Sequence, residues 1–332
     1  MKRTPLAGLM LASALLAQPA SALNIVLTND DSWSTDNINV LFTKLKAAGH
    51  DVIMSAPCTG QSGKGGAVSF LKAVTVDRTE IADQKACVGD TDTSKAFSSY
   101  VEGTPVMASL YGIDVLAPEI WGSAPDLLIS GPNEGNNLGY LTNSSGTLGA
   151  ANIALARGIP AIAVSAETDD ADTAALVADA VVELVATLEA SRPAGQPLLP
   201  AFTGLNVNTP EDMENHKGFH FSQVGWNGGM DVYFSSDLSQ DSTAMGYVAQ
   251  GILSAGYAAS FEAAYAMAQA SYAGKVGVSI GMDATLVNDT AADSEANLLA
   301  EGYITISPME ASVQASQVKN ALVKQRLSAL SE

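Results

Sequence analysis

Short apolar runs alternate along this chain with segments whose apolar positions recur every three or four residues. Leu23–Thr28 is a continuous apolar run and predicts a first strand. Asn37–Ala48 carries Ile38, Leu41, Phe42 and Leu45 at helical spacing, with Gly49 as its stop, and predicts an amphipathic helix. Asp51–Ala56 predicts the second strand, ended by Pro57. Thr104-Pro105 combines an N-cap residue with proline at the first helical position and opens a helix towards Val115. Asp126–Ser130 and Pro160–Ser165 are expected strands, and Thr147–Arg157 and Asp169–Glu189 expected helices. This strand–helix rhythm predicts a three-layer α/β fold: a mostly parallel, Rossmann-like sheet with helices on both faces.

The rhythm breaks after a further strand at Leu205–Asn208. Residues 211 to about 245 are rich in Gly, Asn, Asp and Ser with scattered aromatics, and read as loops or hairpins leaving the core. Tyr257–Tyr272 predicts an Ala-rich helix, Lys275–Gly281 and Gly302–Ile306 strands, and Ser312–Leu330 a terminal helix. The expected organisation is one domain over 23–332, with a C-terminal excursion of hairpins and helix at about 211–292.

The first residues modify this picture. Lys2 and Arg3, the apolar run Leu6–Ala17 and the small-residue site Ala20-Ser21-Ala22 fit an export signal over residues 1–22. The expectation is a periplasmic or secreted protein, with no segment apolar and long enough to span a bilayer. In an oxidising compartment Cys58 and Cys87 allow one disulfide; two buried thiols are the alternative. Thirty-five acidic against sixteen basic residues give a formal charge of −19. That balance argues against binding a nucleic-acid polymer, which requires Lys and Arg to displace counterions. A small anionic substrate stays open, because a bound cation supplies local positive charge.

Candidate chemistry collects at the predicted carboxyl ends of strands, where ligands bind in such sheets. The first strand ends in Asn29-Asp30-Asp31, the second leads into Gln61-Ser62-Gly63-Lys64-Gly65-Gly66, and a later one into Gly131-Pro132-Asn133-Glu134-Gly135-Asn136-Asn137-Leu138-Gly139. Paired carboxylates with hydroxyl and amide oxygens suit a hard divalent cation. Ser145-Gly146-Thr147 at a helix entry presents backbone N–H groups to an anion. Alone, each piece has a plainer reading: a solvated turn, a flexible loop, a helix cap. Together they describe a place for a metal and a phosphate.

The same segments, with Gly103-Thr104-Pro105, Gly158-Ile159-Pro160, Leu205-Asn206-Val207-Asn208 and Glu301-Gly302-Tyr303 through Pro308, resemble in order the SurE family of metal-dependent 5′/3′-nucleotidases. The resemblance implies a SurE-like fold and a phosphomonoesterase acting on nucleoside monophosphates. It implies one divalent metal per subunit, Mg²⁺ or Mn²⁺, held by Asp30, Asp31, Ser62 and Asn133. Ser145, Gly146 and Thr147 would surround the substrate phosphate with Asn29 nearby, Asp30 or Asp31 would take a proton from the attacking water, and the protein would be a homo-oligomer, dimer or tetramer. Lys64 reads as an exposed loop lysine rather than a phosphate ligand.

Four departures from the family pattern stand out. Ser32 stands where the family has Gly, so the turn that makes the carboxylates converge is expected to be built differently. Asn37 replaces a later Gly, a swap tolerable at positive φ. Pro132 and Ser144 replace an Ile and a Tyr; they leave the implied ligands intact but bear on the loop shape and so on base preference.

Other enzyme classes fit less well. No Gly-x-Gly-x-x-Gly follows the first strand. No Ser or Thr follows Lys64, as a P-loop requires, and the carboxylates are adjacent rather than spaced Asp-x-Asp. Ser62 lacks a nucleophile elbow. Of the three histidines, His50 reads as a helix end and His216 and His220 as surface residues. The remaining rival is a non-catalytic exported protein that binds phosphate or metal on the same fold.

Overall fold

The helical spacing at Ile38, Leu41, Phe42 and Leu45 is realised as one buried stripe, and that stripe covers a sheet whose strands are apolar throughout. The structure, a computed structural model, describes residues 22–92, 94–96, 99–254, 256–281 and 289–330. The expected export signal falls almost wholly outside the described residues, as do parts of the excursion. No described helix is long and apolar enough to cross a membrane.

The strands are β1 (Asn24–Thr28), β2 (Asp51–Pro57), β3 (Val76–Asp77), β4 (Lys85–Val88), β5 (Leu127–Glu134), β6 (Ala161–Ala166), β7 (Thr203–Asn208), β8 (Phe219–Phe221), β9 (Asp231–Ser235), β10 (Gly277–Gly281) and β11 (Ile304–Glu310). The helices are α1 (Asp36–Ala47), α2 (Pro105–Tyr111), α3 (Ala117–Trp121), α4 (Gly146–Ala156), α5 (Ala171–Ser191), α6 (Ser242–Ser254), α7 (Phe261–Tyr272), α8 (Glu295–Ala300) and α9 (Gln317–Arg326). Nine strands form the central sheet in the order β3-β4-β2-β1-β5-β6-β7-β11-β8. The pairings are parallel except β3–β4 and β7–β11. The three-layer, mostly parallel expectation is met.

Several boundaries differ from the sequence reading. The helix opened by Thr104 continues through a wide turn at Gly112–Leu116 into α3, so it ends at Trp121 rather than near Val115. Segment 211–245 is not all excursion, because β8 pairs with β11 and extends the central sheet. The excursion proper carries β9 and β10, which pair only with each other, and helices α6 and α7. The terminal helix begins at Gln317, five residues later than expected.

Alternation along each strand sorts the core into two faces. Ile25, Leu27, Ile129, Val164, Leu205 and Val207 meet α1 and α5. Val26, Leu128, Ala161 and Ala163 meet α4. The steps β5 to β6 and β6 to β7 move the same way along the sheet, yet α4 and α5 lie on opposite faces. The β6–α5–β7 crossover therefore has the opposite hand from β5–α4–β6. Right-handed crossovers dominate such folds, so this is an exceptional connection with a local effect. With α5 on the α1 face, the other face of the β7 end carries Asn206 and Asn208 instead of apolar side chains. The turn 137–139 and the start of α8 cover it.

Candidate active site

β1 lies between β2 and β5, and the chain leaves it on one side through α1 and returns on the other; this is the switch point where a doubly wound sheet opens a crevice. Beyond β1 the backbone carries Asn29, Asp30 and Asp31. Gln61 N–H donates to the Asp30 carbonyl at 2.7 Å, which ties the loop after β2 to the end of β1. Asp31 Oδ2 accepts from Glu134 N–H at 2.6 Å, which ties β1 to the residue after Asn133. Thr147 Oγ1 donates to Asp30 Oδ1 at 2.6 Å, which brings in the first turn of α4. Three strand ends and one helix start thus converge as the motifs imply.

The small residues of α4 permit this approach. A Cβ on Gly146 would stand 2.9 Å from Asp30 Oδ2, and one on Gly149 would stand 2.1 Å from the Gly65 carbonyl oxygen. The loop that contains Ser62 therefore runs against the α4 backbone, in space that a side chain at Gly149 would occupy.

Burial and mutual repulsion make it costly to hold both carboxylates charged. Asp30 is only 3% exposed, and burial raises its pKa against the opposing Thr147 hydrogen bond. Asp31 is raised to about 7, by burial first and then by the Asp30 charge. Asn133 gives both amide hydrogens away, to the carbonyls of Glu134 (2.9 Å) and Gly135 (2.6 Å). Its Oδ1 has no donor among the described hydrogen bonds. Two crowded carboxylates beside an uncommitted amide oxygen fit a hard divalent cation. Among the described residues no three His, Cys, Asp or Glu side chains form such a group, so the oxygens fitting a cation here are two carboxylates and neutral donors.

Not every candidate stands where the motifs imply. Ser62 is exposed, and its side chain makes no described hydrogen bond; only its neighbour Gln61 touches the Asp30 backbone. Asn29 is fully buried, and its Nδ2 donates to the Pro132 carbonyl at 3.0 Å. That bond braces the ends of β1 and β5, while the buried Asn29 Oδ1 has no described partner. Ser145 is the N-cap of α4, its Oγ accepting from Leu148 N–H at 3.2 Å. Lys64 pairs with Glu102 at 2.5 Å, as an exposed loop lysine should.

Two of the departures, Ser32 and Asn37, have a structural account. Ser32 has φ +113°, so the turn keeps a backbone that favours glycine and bears the strain instead of being rebuilt. Asn37 is inside α1 with no positive φ; the swap works because its N–H and Nδ2 donate to Asp169 Oδ1 (2.7 Å) and the Thr168 carbonyl (3.0 Å). Replacing Ser32 by Gly is expected to raise stability by about 1 kcal/mol, the relieved strain less the added freedom of the unfolded chain. Urea denaturation of the two proteins measures it, and a destabilised Ser32→Gly would show that the Ser32–Ser34 hydroxyl contact at 3.0 Å outweighs the strain.

The model of the family described as Survival protein SurE matches residues 25–230, a span that contains every candidate residue above. The chain belongs to the SurE family. An acid phosphatase of Yarrowia lipolytica is 34% identical over 244 residues, covering 63% of this chain and 68% of the relative. A 5′-nucleotidase SurE of Methanopyrus kandleri is 35% identical over 196 residues, covering 57% and 67%. The crystal structure of a SurE protein from Aquifex aeolicus aligns with a TM-score of 0.64 at 23% identity, over 93% of this chain and all of that one. At that identity the structural likeness establishes a SurE fold.

Sequence reading missed two groups that the SurE fold brings into contact with this site. Asn137 Nδ2 donates to Thr147 Oγ1 at 3.1 Å, and Glu295, fully buried, accepts from Gly139 N–H at 3.1 Å. Asn137 lies within the Gly131–Gly139 loop, where its sequence neighbours do not mark it as a hydrogen-bonding centre. Glu295 lies beyond the matched span, and no local pattern marks it.

Proposed function

We propose that this SurE-family chain is a metal-dependent phosphomonoesterase acting on nucleoside monophosphates, a 5′-nucleotidase. The observation that carries the reading is the join between Asp30 and α4. A carboxylate pair that seeks a cation shares a 2.6 Å hydrogen bond with the first turn of a helix that seeks an anion. The names of the relatives, an acid phosphatase and 5′-nucleotidases, support the same reaction class.

Asp30, Asp31 and Asn133, with Ser62 after closure of its loop, are the residues assigned to one divalent ion, Mg²⁺ or Mn²⁺. Bound there, the ion would draw charge from the phosphoryl oxygens and acidify a water. The N–H groups of Gly146 and Thr147, which have no acceptor among the described hydrogen bonds, receive phosphate oxygens. Thr147 holds Asp30 through its hydroxyl. Asp30 Oδ1 is committed to that bond, and Asp31 is the less buried carboxylate. Asp31 therefore takes the proton of the attacking water.

The chain is further proposed to work outside the cytoplasm and as a homo-oligomer. The Cys58–Cys87 disulfide supports the first. The exposed Phe234, Val276 and Val278 around the β9–β10 ribbon support the second.

Hydrolysis of p-nitrophenyl phosphate and of nucleoside monophosphates tests the reading. Turnover is expected to vanish with EDTA and return with Mg²⁺ or Mn²⁺. Tight metal binding with no turnover on any monoester would instead establish the non-catalytic binding protein.

A further inference from the structure

The β7 segment Leu205-Asn206-Val207-Asn208 turns its two apolar residues to the α5 face and its two asparagines to the other. Asn206 registers with Ala163 on one side and Ser307 on the other; Asn208 registers with Ser165 and Thr305. Ser165, Asn206, Asn208, Thr305 and Ser307 are all fully buried. A buried polar surface destabilises the fold wherever it lacks hydrogen bonds; among these five side chains Asn206 Oδ1 is the one atom with no described partner.

The bonds converge on Asn137. Its N–H donates to Asn208 Oδ1 at 2.8 Å, and its carbonyl accepts from Asn206 Nδ2 at 3.0 Å and Asn208 Nδ2 at 3.2 Å. Its side-chain Nδ2 donates to Ser165 Oγ at 2.9 Å and to Thr147 Oγ1 at 3.1 Å. That last bond occupies a lone pair of Thr147 Oγ1, so the hydroxyl's single proton goes to Asp30 Oδ1.

Glu295 holds the far end. Its Oε1 accepts from Gly139 N–H, two residues after Asn137. Its Oε2 accepts from Asn206 Nδ2 at 3.1 Å and from Ser307 Oγ at 2.9 Å. Asn206 Nδ2 thus spends its two hydrogens on Asn137 and Glu295. Flipping the amide would set its Oδ1 against the Asn137 carbonyl. Gly139 N–H and Asn206 Nδ2 are both donors, so only a group that accepts through both oxygens fits between them. Glutamine, with one oxygen and one NH₂, leaves a donor facing a donor.

We infer that Glu295 is a positioning residue for the reaction proposed above: through Asn206 and the Asn137–Gly139 turn it fixes the Thr147 hydroxyl that orients Asp30. The Glu295 carboxylate bonds to none of the residues assigned to metal or phosphate, and it acts by denying the chain every other arrangement of these amides. Its carboxyl is itself held up to about 7, chiefly by burial. A group so costly to bury calls for a role beyond filling space.

The inference rests on the phosphomonoesterase reading, and the test separates the two. Glu295→Gln, Thr147→Val and the double variant are compared in kcat and KM, and in Mn²⁺ affinity measured by calorimetry. Folded fractions are matched by circular dichroism. Glu295→Gln is expected to lower kcat and Mn²⁺ affinity by about 10–100-fold, the range found when a group behind a metal ligand is removed. Glu295→Asp, which keeps two acceptor oxygens, is expected to recover part of the loss. On the Thr147→Val background Glu295→Gln is expected to cost less than about twofold more, because the path is already cut. A folded Glu295→Gln with unchanged kcat and Mn²⁺ affinity overturns the inference, as do fully multiplicative losses. Should Glu295→Gln fail to fold, Asn206→Ser breaks the same link one step nearer the site and takes its place in the cycle. If the wild-type chain turns over no monoester, the reading fails, while coupled losses of Mn²⁺ affinity would still sustain the role of Glu295.

Discussion

Asp30→Asn is expected to lower kcat/KM for monoester hydrolysis by about a thousandfold or more, equivalent to about 4 kcal/mol of lost transition-state stabilisation, while the chain stays folded. Asparagine keeps the oxygen that accepts from Thr147 Oγ1, so the α4 contact survives. The charge is lost, and with it half of the carboxylate pair that draws a cation. Without metal the variant should be the more stable protein near neutral pH. Asp31 is raised to about 7 by burial and by the Asp30 charge. A carboxyl with a raised folded-state pKa contributes stability that is full below its unfolded pKa, about 4, and is lost as pH rises through about 7. Removing Asp30 takes away the charge that is part of that shift. In EDTA, thermal midpoints between pH 4 and 8 should fall with rising pH in the wild type and fall less in Asp30→Asn. Glu295, also held at about 7, leaves a residual slope in both. Retained turnover in Asp30→Asn would remove Asp30 from the site.

The second large effect concerns Cys58 and Cys87. They join the residue just beyond β2 to β4, closing 29 residues of sequence separation. Replacing both by Ser is expected to cost about 3–4 kcal/mol, the unfolded-chain entropy that a loop of this length releases. The thermal midpoint should drop by several degrees, and dithiothreitol should do the same to the wild type. Cys58 lies three residues before Gln61, whose N–H holds the Asp30 carbonyl. Turnover should therefore weaken ahead of global unfolding. If dithiothreitol left both midpoint and turnover of the wild type unchanged, the staple would have no part in either.

The fold was legible wherever burial follows a local period. Ile38, Leu41, Phe42 and Leu45 announce α1 because one face of that helix is buried and the other is wet. Ser145 announces α4 because a capping hydroxyl acts within three residues. Elements defined by distant partners left weaker traces. β8 is Phe-His-Phe in a polar stretch, and only its pairing with β11 makes it a strand of the central sheet. β4 has four residues and follows Gln84 at positive φ. The turn at Gly112–Leu116 keeps the apolar spacing of a helix, so nothing local stops α2 at Val115. In the site, the carboxylates, the helix start and the Asn133 loop were legible as motifs. Their contacts were not: Asn37 reads as a backbone swap but serves as a donor to residues 168 and 169. Asn29 reads as a substrate group, and its Nδ2 bond to the Pro132 carbonyl, which braces β1 against β5, left no local trace.

The crossover that carries α5 to the α1 face gives the two sides of β7 different tolerances for change. Leu205 and Val207 lie among apolar side chains, where Ile, Met or another residue of similar volume repacks at modest cost. Asn206 and Asn208 belong to a lattice in which both Asn206 amide hydrogens are spent, on Asn137 and Glu295, and Asn208 both accepts from and donates to the Asn137 backbone. There even Asn206→Asp, identical in shape, would set oxygen against oxygen at Glu295 and Asn137. Along a single strand, then, alternate positions drift freely or are frozen, and substitutions that accumulate in one set leave the other untouched.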